Sequence, residues 1–195
     1  MYAKQLDISF PIPEDRDRQI LSEHGKLKIS NRPSLIRRNL LEVDDYLNLL
    51  PQVRDFCIDS SISDLKLLSP HLHTKDKSVI NFYLSTNNEV TSFWEGKDEF
   101  DDRWTTDGGD TYYNVKPENL DVVYRFCAKP GDVWILNPQK IHSVLPDIEA
   151  EENIKKGNKD RRLIHYVRKN TRKMIQLIFN IEIDEMIERI YGTKL

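Results

Sequence analysis

The sharpest constraint in this chain is a change of hydrophobic period near residue 62. Before it, in the stretch SLIRRNLLEVDDYLNLLPQVRDFCID (34–59), Leu35, Ile36, Leu40, Val43, Leu47 and Leu50 recur at three- and four-residue steps. That is the spacing of an amphipathic helix. Pro33 and Ser34 suit its start, and Pro51 ends or kinks it. A short second helix is expected to carry Val53, Phe56 and Cys57. Beyond residue 62 the chain breaks into short runs rich in Val, Ile, Phe, Tyr and Trp, at 64–68, 77–84, 89–94, 121–127, 132–136, 141–145 and 172–181. Turn residues bound them. Asn87-Asn88 makes one tight link, and Lys129-Pro130-Gly131-Asp132 another, where Pro presets one dihedral and Gly accepts the positive one. Many short strands after an N-terminal helix predict a mainly β fold with flanking α. The expected form is a sandwich or jelly-roll barrel with the N-terminal helix packed outside.

At 195 residues the chain is read as a single domain, large enough to bury a core without disulfide or metal staples. Its expected parts are N-terminal strands and helix (1–61), a β core (62–181) and a C-terminal helix or tail (182–195). Edge strands are expected at 2–10 and 26–29, and a short helix at 184–191. Two stretches interrupt the strand rhythm. Residues 96–116 carry Asp101, Asp102, Asp107 and Asp110 with Gly108-Gly109, and residues 146–170 begin acidic and turn basic. They are expected to be long loops, the second partly helical.

Composition narrows the function classes. A net charge of −3 gives no bulk basic footprint for nucleic acid. No apolar run approaches the roughly 20 residues of a membrane span, and the N-terminus has no signal-type apolar stretch. The two cysteines, Cys57 and Cys127, are too few for a disulfide framework, so an intracellular, cytoplasmic chain is expected. There is no nucleophile motif and no phosphate-cradling glycine loop.

The chemistry concentrates in three of five histidines. His71 and His73 form a His-x-His pair, whose side chains share one face of a strand. His142 opens another strand after a Pro-containing turn. Three imidazoles from two strands can hold one divalent metal facially and leave positions open; imidazole suits iron, zinc, copper and nickel. His24 and His165 are read as ordinary surface or core-edge residues.

The second half also resembles the iron(II)- and 2-oxoglutarate-dependent oxygenases, whose fold is a double-stranded β-helix of the cupin-like type. The similarity is greatest to short forms of phage and marine bacteria. It rests on His71-Leu-His73, VINFYL (79–84), TSFWE (91–95), WILNPQKIHSV (134–144) and TRKMIQLIFN (171–180). The resemblance implies iron(II) and 2-oxoglutarate as cofactor and cosubstrate, a dioxygenase activity, and His71, His73 and His142 as metal ligands. His73 stands where the family has a carboxylate, which leaves a more positive, less electron-rich metal. Asp76 is the substitute carboxylate if the segment bulges; a fold with no metal is the remaining outcome. Arg172 matches the position that grips the distal carboxylate, with Arg168 and Lys173 as competitors. Asn81 either bonds the cosubstrate or satisfies a neighbouring backbone group, and Tyr83 shares its face. Two alternatives accompany this reading: a non-catalytic barrel kept as a binding or structural module, and a three-histidine cupin-type dioxygenase without a 2-oxo acid. The substrate is not legible.

Overall fold

The computed structural model describes residues 1–12, 45–64, 68–97, 100–105, 111–157 and 172–192. Eleven strands are present among them. They are β1 (Ala3–Leu6), β2 (Cys57–Asp64), β3 (Leu68–His73), β4 (Ser78–Ser85), β5 (Val90–Gly96), β6 (Phe100–Thr105), β7 (Thr111–Val115), β8 (Leu120–Cys127), β9 (Val133–Leu136), β10 (His142–Leu145) and β11 (Lys173–Phe179). Two helices follow the strands of the second half, α1 (Ile148–Lys155) and α2 (Ile183–Tyr191). Residues 45–48 are helical; the rest of the expected N-terminal helix, and the strand expected at 26–29, lie outside the described residues.

The strands form two antiparallel sheets, one ordered β1-β9-β4-β11-β2 and the other β6-β7-β3-β10-β5-β8. Each sheet has two edge strands, and no described pairing joins one sheet to the other. This corrects the expected fold. The molecule is a mixed α/β protein with two open sheets, not a double-stranded β-helix, jelly-roll or cupin-like barrel. Closure requires the edge strands to pair with each other, and β1, β2, β6 and β8 do not.

The packing explains the layers. In β4 every residue from Ser78 to Leu84 is buried, because both faces are covered. Ile80, Phe82 and Leu84 face outward and join Val133, Ile135, Ile175 and Leu177 in a core with Leu50, Val53, Ile183, Met186 and Ile187. Tyr83 points the other way, with Trp134 and Met174, against Phe93 and Phe126 of the six-stranded sheet. On the far side of that sheet, Ala150 and Ile154 of α1 cover Trp94, Leu120 and Leu145. The Asp147 side chain caps α1 by accepting from the Ala150 N–H at 2.8 Å. Glu151, buried on the same helix, accepts from Ser92 Oγ and from Arg125 Nε, the latter at 2.8 Å.

The turn signals act as expected. Asn88 takes φ 61° between β4 and β5, and Gly131 takes φ 92° before β9. Two other expectations are corrected. The segment 96–116 is no long loop: β6 and β7 pair as an antiparallel hairpin within it. Cys57 belongs to a strand rather than a helix, since only a 3-10 turn at Arg54–Phe56 precedes β2. Pairing with β11 along its whole length overrides the low strand propensity of CIDSSISD. Within 146–170, α1 is the described part.

Candidate metal centre

The three histidines meet through sheet register. His71 and His142 are direct cross-strand partners on β3 and β10, so their side chains rise from the same face. His73 follows two residues after His71 and shares that face. Phe93 of β5 lies opposite His142 on its other side. The face is the inner one, turned towards the five-stranded sheet: the Phe93 ring sits 5.8 Å from that of His142. Ring centroids stand 4.3 Å apart for His71–His142, 5.4 Å for His71–His73 and 5.3 Å for His73–His142. One ring nitrogen from each lies within 4.8 Å of the others.

Local hydrogen bonds fix the tautomers. Nδ1 of His71 lies 2.8 Å from the carbonyl of Ser69, and Nδ1 of His142 lies 2.9 Å from that of Lys140. A carbonyl only accepts, so Nδ1 carries the proton and Nε2 keeps its lone pair. Nδ1 of His73 donates to Oδ2 of Asp76 at 3.1 Å, which turns its Nε2 away from the carboxylate. The backbone holds His73 as well, its N–H donating to Pro138 O at 3.0 Å. Burial keeps the pair on β3 and β10 neutral: it pushes His71 down to about 4, with neighbouring His73 adding to the effect, and drives His142 well below the ordinary imidazole value. Neutral imidazole is the form a metal ion needs.

This donor set fits a metal. Three nitrogens about 2.0–2.1 Å from a zinc-like ion stand roughly 3.0–3.5 Å from one another, inside the spread found here. Asp76 is not a fourth ligand in this arrangement; it lies behind His73, at the other ring nitrogen. Its role was not legible, because the direction of a side chain in the turn between β3 and β4 leaves no mark on spacing.

The remaining expected residues form a separate chain of hydrogen bonds, mostly on the five-stranded sheet. Arg172 is buried, donating from Nη2 to Tyr83 Oη at 2.8 Å and to Thr91 Oγ1 at 3.4 Å, with its guanidinium 4.9 Å from the Tyr83 ring centre. Asn81 Nδ2 donates to Tyr83 Oη at 3.4 Å, and Gln176 Nε2 donates to Asn81 Oδ1 at 3.2 Å. Gln176 was missed at the sequence level, although it stands directly across from Asn81. Lys173 is half-buried at the start of β11, and Arg168 lies outside the described residues, as do His24 and His165.

No family model and no curated protein matches this chain. The resemblance to the iron(II)- and 2-oxoglutarate-dependent oxygenases is corrected by the fold, because the sheets stay open and the metal cluster holds three imidazoles and no carboxylate. Arg172, Asn81 and Tyr83, the residues expected to hold a 2-oxo acid, are hydrogen-bonded to one another and to Thr91 and Gln176. Among the described residues no helix is long and apolar enough to cross a membrane.

Proposed function

We propose that the protein is a metal-binding module in which His71, His73 and His142 hold one divalent transition-metal ion through Nε2. The observation that carries this reading is the convergence of three imidazoles whose Nδ1 atoms are each tied to an acceptor. Such second-contact bonds orient metal-ligating histidines. A purely imidazole donor set favours zinc, copper, nickel or iron(II) over magnesium, calcium or manganese. Three protein ligands leave room for an exchangeable one; when bound, the ion supplies Lewis acidity there. Burial holds His71 and His142 neutral, the sheet register aligns the rings, and Phe93 walls the site with apolar surface. Binding rather than catalysis is proposed because the imidazole cluster is the feature that the geometry carries.

Titration of the metal-free protein with Co(II), followed by visible absorption, tests this. One ion per chain is expected. His142→Ala is expected to weaken binding at least 100-fold, about 2.7 kcal/mol, with an unchanged far-ultraviolet circular dichroism spectrum. A wild-type protein that takes up no divalent ion overturns the reading.

A further inference from the structure

We infer that Asp76 is a positioning residue that supplies the metal centre with its negative charge, delivered through His73 rather than by direct ligation. This rests on the metal-binding reading above. The three histidines are not equivalent. His71 and His142 each lean on the carbonyl of the residue two positions earlier, a neutral dipole. His73 leans on a carboxylate, 3.1 Å away and three residues later. Asp76 is buried, at 6% exposure. Lysines flank it on both sides in the sequence, yet Lys77 turns to Glu182 at 3.5 Å, and the carboxylate of Asp76 turns to the imidazole. A buried carboxylate is costly unless paired and hydrogen-bonded. Spending that cost behind one metal-facing ring has a chemical result: the anion makes Nε2 of His73 the most basic donor of the three and offsets part of the ion's charge. A donor set without a carboxylate thereby regains an anion one bond further out. Removing such a partner typically weakens metal affinity 10- to 100-fold.

The experiment compares wild type, Asp76→Asn and Asp76→Ala. Metal affinity is read by competition with a chromophoric chelator for Zn(II). The ring N–H resonances of the Co(II)-loaded proteins are read by paramagnetic proton NMR. Asp76→Asn keeps size and hydrogen bonding but removes the charge. It is expected to bind Zn(II) 10- to 100-fold more weakly, with only the His73 N–H resonance displaced and the thermal midpoint of the metal-free protein near wild type. Asp76→Ala is expected to weaken binding at least as much. If wild type binds and Asp76→Asn binds equally well, or if all three N–H resonances move together, the inference is overturned and the metal-binding reading stands. If wild type binds nothing, that reading fails and takes the inference with it.

Discussion

The two faces of the five-stranded sheet are packed in different ways. Towards the helices, Ile80, Phe82, Ile135, Leu177 and their neighbours meet Leu50, Met186 and Ile187 in a mainly apolar layer. Towards the other sheet, the same strands present Asn81, Tyr83 and Gln176 beside Trp134 and Met174, facing a sheet that carries Phe93 and three imidazoles. Strand β4 contributes to both by simple alternation. The difference separates two physical tasks. The outer layer stabilises by removing apolar surface from water. The inner layer accepts the desolvation of polar groups and recovers it through hydrogen bonds, which is a condition for holding chemistry indoors.

This contrast can be broken from either side. Phe82→Ala strikes the outer layer, where the ring is fully buried between Phe10 and Tyr46 at 5.3 and 5.1 Å. It is expected to lower the unfolding free energy by about 3–5 kcal/mol in urea titrations, while the Co(II) affinity of the protein that remains folded is unchanged. Acid strikes the inner layer. Above the unfolded-chain value of about 6.5, His71 is neutral in both states. As pH falls from there, the unfolded chain takes up a proton that the folded protein refuses until about pH 4. Stability is therefore full above pH 6.5 and declines towards pH 4, by about 3 kcal/mol for this residue, with His142 acting in the same direction. Urea midpoints of metal-free protein at pH 7.5 and 4.5 measure the loss, and Phe82→Ala should leave the pH slope intact. Tyr83→Phe sharpens the comparison inside the inner layer. It removes the hydroxyl that accepts from Arg172 and Asn81. The expected cost is about 1–2 kcal/mol of stability, with metal affinity within twofold of wild type. A large loss of affinity would show that the hydrogen-bond chain and the metal centre act as one unit.

Much of this was legible in the chain, for identifiable reasons. VINFYL reads as a strand because β-branched and aromatic residues cluster in it, and the turns at Asn88 and Gly131 follow from residues that tolerate positive φ. The His71–His73 pair and His142 stood out by spacing and strand position. Other features were hidden. Alternation of period two is the same in an open sheet and a closed barrel, so closure was not written in the pattern. The hairpin of β6 and β7 was masked by its acidic residues, and β2 by its serines; in both cases pairing with a neighbour outweighs local propensity. Asp76 stood out as a substitute carboxylate, but its contact with His73 did not, because a turn, not a periodic element, aims its side chain.

The cross-strand partnership of His71 and His142 has a consequence for assembly. These residues belong to distant parts of the chain and become neighbours only when β10 docks against β3. An ion bound there would tie the two halves together as a removable crosslink. It cannot be loaded on either half alone, and long-range pairings of this kind form slowly. Occupancy would therefore report that the polypeptide has completed this long-range pairing, and mass action by the free ion would hold it there.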